Sequence, residues 1–403
     1  MSLRSIPGGI TAAGGFQVAA ARAGLRSGDG PDVVLIVSER GAVPVAATFT
    51  RNRLRAAPVE VSMRALRASR GMAAAVVANA GCANAGTGIG GIADARAVQS
   101  LAARRLGVPP REVLTASTGL IGSRLDVDRI SAVLPTLEPS AGRRADREAA
   151  RSIMTTDTRP KEAAVEVELG GGRTARIGGM AKGSGMIHPQ MGTMLAFVTT
   201  DAPIRPAPLG NELRATVDRT FNQVTVDGDP STNDTVVVLA SGAAGGRELT
   251  GAALERFGAG LEAVCRSLAE QIAADGEGAR HRIDVTVLGA RSDREARLVA
   301  RAVAGSSLVK TAVHGADPNW GRIAAAAGRA GARLDPSRLS VRIGPVRVYD
   351  GEPLAFDERA ASRALRGRVV SLELDLQLGD GEGMAWGCDL SAEYVVINSE
   401  YRT

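Results

Sequence analysis

The sequence predicts an α+β protein built from layered sheets and helices. Apolar runs of strand length, such as residues 33–37 and 73–78, are bounded by turn signals. Longer segments with helical periodicity, including 93–106 and 254–274, fall between them at irregular intervals. That mixture matches neither a continuous βαβα series nor an all-β chain, which leaves separate strand and helix layers.

Taken in order, residues 31–80 read as strands alternating with turns, and 93–106 as a helix entered from a Gly-rich loop. Residues 111–114 lead into STGLIG, 117–122, read as a turn. Residues 125–155 read as helical with breaks at Pro135 and Pro139, because proline lacks the N–H a helix interior needs. Residues 163–177 read as a hairpin turning at Gly170-Gly171-Gly172. A loop from Lys182 gives way to an apolar, β-branched strand at 194–200. A helix at 209–221, a buried strand at 236–240 and the helix at 254–274 follow, the last ending in the turn DGEG. From Ile283 the pattern changes to a strand, a helix near 294–304, and strands at 339–349 and 369–377. A boundary near residue 285 is expected, dividing a catalytic unit (1–285) from a smaller α/β unit (286–403).

A chain of 403 residues exceeds one small domain. Its residues are 44% hydrophobic but only 3% aromatic, so Ala, Val, Leu and Ile must fill the core. No apolar run approaches the ~18 residues of a membrane span, and the N-terminus lacks a basic segment followed by an apolar one. Cys82, Cys265 and Cys388 are far apart, with neither disulfide-frame nor zinc spacing. A cytosolic enzyme with reduced thiols is the expectation. The net charge of +6 comes from arginines scattered singly or in pairs, as at Arg104-Arg105 and Arg143-Arg144, among acidic residues. Nucleic-acid binding is therefore not indicated, while mild positive charge suits anionic substrates. Of the 49 Lys and Arg residues only Lys161, Lys182 and Lys310 are lysine. Their rarity points to places that need a compact ammonium rather than a guanidinium.

The segment KGSGMIHPQMGTMLAFVTTDA, 182–202, carries the sharpest chemical signal. At its loop-to-strand junction stands Gly192-Thr193. Attack of the Thr193 hydroxyl on the Gly192 carbonyl, followed by ester hydrolysis, would make Thr193 a new N-terminus. Its amine, titrating near ~7.7–8.0, would then serve as base for its own hydroxyl. On pattern alone, a Gly-rich loop feeding a core strand reads the same way.

The chain resembles the glutamate N-acetyltransferase / ornithine acetyltransferase family of arginine biosynthesis. The resemblance runs nearly end to end, through GGITAAGGF, ATFTRNRLRAAPV, STGLIG, IMTTDTRPK, AKGSGMIHPQMGTMLAF, VDGDPSTNDT, DGEGA, LVKTAVHGADPNWGRI and INSEYRT. It departs at Gln190, where the family more often has Asn, at Gly192, where Ala is common, and in the NAGCANAGTG loop around Cys82. The resemblance implies an αββα-like sandwich akin to β-peptide aminopeptidases, with a smaller α/β domain behind it. It implies self-cleavage between Gly192 and Thr193, Thr193 as the acetyl-carrying nucleophile, and Thr118 and Gly119 as the oxyanion hole. It places Thr156, Lys182, Thr193, Glu277, Asn398 and Thr403 at the substrate. It also implies an α2β2 assembly of cleaved chains.

VDGDPSTNDT holds three aspartates, but no glutamate follows at EF-hand spacing, so it reads as a turn-rich loop supporting the site. His188, His281 and His314 read as structural. No metal or cofactor is expected. The resulting function is acetyl transfer from N2-acetylornithine to glutamate by a ping-pong route, with acetyl-CoA use left open. The alternatives are an aminopeptidase- or amidase-type hydrolase on the same scaffold, a paralogue in specialised metabolism, and a non-enzymatic binding protein.

Overall fold

The structure is a computed structural model describing residues 2–188 and 194–400. The first unit runs β1 (Leu3–Ser5), β2 (Phe16–Ala21), β3 (Val33–Ser38), β4 (Val43–Phe49), α1 (Ala57–Ala68), β5 (Met72–Ala73), β6 (Ala75–Cys82), α2 (Gly88–Leu106) and β7 (Val113–Leu120). It continues with α3 (Val127–Val133), α4 (Arg143–Ser152), β8 (Lys161–Gly170), β9 (Arg173–Lys182), β10 (Leu195–Thr200), α5 (Pro206–Arg219), β11 (Thr235–Ala240) and α6 (Gly251–Ala274). The second runs β12 (Arg282–Ala290), α7 (Asp293–Ala304), α8 (Ser307–His314), α9 (Trp320–Gly328), β13 (Ser340–Ile343), β14 (Val346–Asp350), α10 (Glu358–Ala364), β15 (Val369–Asp375), β16 (Gly381–Cys388) and α11 (Ala392–Glu400).

Three apolar cores define four layers in the first unit. Phe257, Leu261, Val264, Leu268 and Ile272 recur on one face of α6 and, with Leu213 and Val217 of α5, cover one side of a seven-stranded sheet ordered β1-β8-β9-β10-β11-β4-β5. The other side of that sheet, through Met180, Phe197 and Val237, meets Val34, Val76 and Leu114 of a four-stranded sheet, β2-β3-β6-β7. The far side of the smaller sheet is closed by Val98 and Ala102 of α2 and Ile130 of α3. The expected αββα sandwich is thus present. Its two inner strands, β10 and β11, are buried at every position, which is why they read as continuous apolar runs. The second unit sets α7, α8 and α9 on a five-stranded sheet, β14-β13-β15-β12-β16. Trp386 and Cys388 of β16 reach into the first unit's core while Ala385 serves the second, so this strand belongs to both.

Three local readings change. Residues 57–68 form helix α1 inside the stretch read as strands and turns. Val59-Glu60-Val61-Ser62 mimics strand alternation, but Pro58 opens the helix where its missing N–H costs nothing, and Pro58, Val61, Ser62 and Ala65 bury one helical face. STGL is the end of strand β7 rather than a turn. Residues 339–349 are a hairpin, β13 against β14, turning at Gly344-Pro345.

Strand register sets up the site. Lys182, the last residue of β9, lies opposite Leu195, the first of β10. Leu195 in turn lies opposite Thr235, the first residue of β11, in parallel pairing. Phe197 of β10 fills the gap between the two sheets and is wholly buried. Phe197→Ala is expected to cost about 3–5 kcal/mol, the usual penalty for such a cavity, read as a lowered urea midpoint with unchanged slope.

Candidate active site

A cavity of about 310 Å3 opens at this end of the sandwich. Thr118, Gly119, Thr156, Lys182, Glu277 and Asn398 line it, bringing together residues from five distant stretches of chain. A larger hollow of about 640 Å3, beside β1 and the start of α4, contains none of these residues. Thr193, Gly192 and Thr403 lie outside the described residues, as does Gln190.

Thr118 and Lys182 meet across the two sheets. Lys182 Nζ donates to Thr118 Oγ1 at 3.3 Å and to Thr155 Oγ1 at 2.7 Å. Lysine cannot accept, so the Thr118 hydroxyl keeps its own proton to donate elsewhere. Gly119 has φ +129°, and a Cβ there would stand 2.3 Å from the Gly81 carbonyl carbon of β6. Only glycine fits where β6 and β7 approach so closely.

Beneath Lys182 lies a buried charge network. Lys161 is fully buried and donates to Asp157 Oδ1 and Asp275 Oδ2, each at 2.6 Å. Asp157 Oδ1 also accepts the Gly183 N–H at 2.7 Å, and its Oδ2 lies 4.0 Å from Lys182 Nζ. Burial alone would raise the Asp157 carboxyl, but the Lys161 and Lys182 charges and these hydrogen bonds bring it down to about 2. Burial lowers the Lys182 pKa, an effect that the Asp157 charge opposes.

Glu277, in the turn after α6, accepts from Asn398 Nδ2 of α11 at 2.8 Å, so the C-terminal helix folds back onto the cavity. A Cβ on Gly185 would fall 2.4 Å from the Glu277 carboxylate, which explains a glycine in the loop that presses on it. The two described ends of the loop after Lys182 are both held by the 225–234 stretch. Asp227 accepts the N–H groups of Met186 and Ile187, and Ile187 O accepts the Val226 N–H at 2.8 Å. On the far side, Asp234 Oδ1 accepts the Met194 N–H at 3.0 Å. Asn233 Nδ2 ties this stretch to the smaller sheet through Ser117 O and Ala83 O, at 2.8 and 2.7 Å. VDGDPSTNDT is therefore a clamp, in keeping with its expected supporting role.

The ArgJ family model matches residues 17–403. The chain belongs to the ArgJ family. The "Arginine biosynthesis bifunctional protein ArgJ" of a Synechococcus species is 47% identical, with 99% of each chain covered. The protein of the same name from Symbiobacterium thermophilum is 48% identical, again with 99% of each covered. Among solved structures, the arginine biosynthesis bifunctional protein argJ of Bacillus halodurans matches with 46% identity and a TM-score of 0.50. That match covers 51% of this chain and 98% of the solved one. As a member of the ArgJ family, the chain is an enzyme of arginine biosynthesis.

Sequence reasoning singled out six of the residues lining the cavity. It missed Asp157, Asp275, Asn233 and Asp234, whose types suit helix caps and turns equally well. Thr156, the member of TTDT expected at the substrate, lines the cavity, and its neighbour Thr155 is bonded to Lys182. The third lysine, Lys310, does not line the cavity and donates to Val226 O at 2.6 Å, pinning the clamp from the second unit. His314 pairs with Asp389, away from the cavity. Among the described residues no helix is long and apolar enough to cross a membrane, and the three cysteines are free and buried.

Lys161→Met leaves two buried carboxyls without their ammonium and is expected to cost about 3–5 kcal/mol at neutral pH. The sign of the pH effect is fixed. Asp157, lowered to about 2, contributes stability above its unfolded value near ~3.9 and loses it as pH falls toward 2. Urea midpoints measured from pH 4 down to pH 2 should therefore decline less steeply in the variant than in the wild type.

Proposed function

We propose that this enzyme moves the acetyl group of N2-acetyl-L-ornithine to L-glutamate by a ping-pong route through acetyl-Thr193. The chain first cuts itself between Gly192 and Thr193, giving fragments 1–192 and 193–403. Thr193, with its own amine as base, attacks the acetyl carbonyl and ornithine leaves. Glutamate then takes the acetyl group from the threonine oxygen. Thr118 and the Gly119 N–H hold the oxyanion. Lys182 spends two of its three donors on Thr155 and Thr118, leaving one for a substrate carboxylate. Glu277, steadied by Asn398, receives the substrate ammonium. Thr156 and Thr403 complete the substrate site. The enzyme acts in the cytoplasm as an α2β2 assembly of cleaved chains, with acetyl-CoA as a second acetyl donor.

The observation that carries this reading is the cavity itself. It gathers a hydroxyl poised to donate, a buried ammonium and a buried carboxylate beside the two anchored ends of the segment containing Gly192-Thr193. The coverage of the Bacillus halodurans chain adds support, because nearly all of that chain matches only half of this one. A cut after Gly192 would divide this chain nearly in half.

Intact mass under denaturing conditions is expected to show two fragments parting at Gly192-Thr193, and Thr193→Ala one inactive full-length chain. Acetyl transfer from acetylornithine to glutamate should release no free acetate; acetate as the main product would favour the hydrolase. Thr118→Val should lower kcat by about 10^2–10^3, the cost of one oxyanion donor, with little change in KM.

A further inference from the structure

Asp234 has no role in the reaction outlined so far. It is 0% exposed and stands immediately before β11. The parallel register of β10 and β11 fixes it beside Met194, the residue joined to Thr193, and its Oδ1 accepts the Met194 N–H at 3.0 Å. Its Oδ2 has no hydrogen-bond partner among the described residues. A carboxylate oxygen so placed has lost its water without gaining a well-formed hydrogen bond. Burial accordingly raises this carboxyl well above the usual range, and the Met194 N–H, the nearby Thr50 and Ser231 hydroxyls and the Lys182 charge oppose the shift only in part. Burial thus favours the protonated form of this group.

The neighbouring carboxyls are already committed. Asp157 is held ionised between Lys161 and the Gly183 N–H. Asp227 uses both oxygens on the Met186 and Ile187 N–H groups. Asp275 takes Lys161 on one oxygen and Thr158 on the other. Glu277 accepts from Asn398. His188 is engaged through Nδ1 with Thr225.

This inference rests on the self-cleavage proposed above, and that cleavage has a definite proton requirement. A bond forms between the Thr193 hydroxyl oxygen and the Gly192 carbonyl carbon, and the bond from that carbon to the Thr193 nitrogen breaks. The hydroxyl must lose a proton and the departing nitrogen must gain one. We propose that Asp234 is the proton shuttle of self-cleavage: its carboxyl gives a proton to the departing Thr193 nitrogen and takes back the one released by the Thr193 hydroxyl. The products are an ester and a free amine, with Asp234 returned to its starting state. Water then hydrolyses the ester, leaving the Gly192 carboxylate and a free threonine hydroxyl. No other reagent is consumed.

The test uses the full-length chain made by cell-free synthesis and followed by intact mass over time. Asp234→Asn keeps the size of the side chain and an acceptor for Met194 but cannot give up and recover an acidic proton. Cleavage should slow by about 100-fold or more, the usual worth of general acid–base help. Its thermal melting should match that of the uncleaved Thr193→Ala chain, which separates lost chemistry from lost structure. Cleavage of a folded Asp234→Asn chain at the wild-type rate overturns the shuttle. If the variant does not fold, the wild-type precursor decides: cleavage should be measurably slower in deuterium oxide than in water, and equal rates overturn the proposal. A wild-type chain that never cleaves removes the self-processing reading and this inference together, whereas a cleaving wild type with an equally fast Asp234→Asn chain removes this inference alone.

Discussion

The registers of β9, β10 and β11 are the constraint on which the site depends. Lys182 faces Leu195 and Leu195 faces Thr235, so three strand ends fall at one level. A shift of one residue in either pairing would turn every side chain of a strand to its opposite face. Lys182 would leave the cavity and Asp234 would lose Met194. Register is well protected here because β10 and β11 are buried on both faces, one against α5 and α6 and the other against the smaller sheet. The core of the sandwich thereby sets the positions of polar groups at its rim.

Buried charge is the second constraint. All three lysines of the chain are almost completely buried, at 0%, 2% and 3% exposure for Lys161, Lys182 and Lys310. In a protein that otherwise uses arginine, this pattern has a physical reason. An ammonium is compact and donates in three directions, so it fits between two carboxylates, between two hydroxyls, or between a carbonyl and a thiol. A guanidinium would demand a flat slot several ångströms wider. Taking such charges from water is costly, and each is offset only by close partners on every side. Lys161 between Asp157 and Asp275 shows this most fully, and that network in turn keeps a negative charge beneath Lys182.

Much of this was legible in the sequence. The layered α+β class followed from strand and helix runs in irregular order, and the apolar runs of β10 and β11 announced strands buried on both faces. The cavity residues Thr118, Gly119, Thr156, Lys182, Glu277 and Asn398 were legible because they sit in long, unusual motifs. The supporting residues were not, for a physical reason. Asp157 in TTDT, Asp275 in DGEG and Asp234 in STNDT are residues that cap helices and shape turns everywhere, and only tertiary packing tells a buried acid from a solvated one. Helix α1 was hidden by a Val-Glu-Val-Ser alternation. There burial against a neighbouring layer overrode local preference.

The second unit takes part in the site although its strands form a separate sheet. Its Lys310 grips the Val226 carbonyl, and the Trp386 carbonyl of β16 accepts the Thr225 N–H at 2.9 Å. Residues 225–227 in turn hold Met186, Ile187 and His188. A further arm, α11, reaches the cavity through Asn398 and Glu277. The described ends of the segment in which self-cleavage is proposed are thus held from the first unit by Asp234 and from the second by Lys310 acting through the clamp. Backbone hydrogen bonds made by a buried ammonium and a buried strand are short and have little freedom, so they resist displacement of these described ends more than contacts between exposed side chains would. The proposed reaction within the chain's own backbone needs that resistance. Its nucleophile and its target belong to adjacent residues, and a relaxed loop would spend most of its time in conformations where the two do not meet.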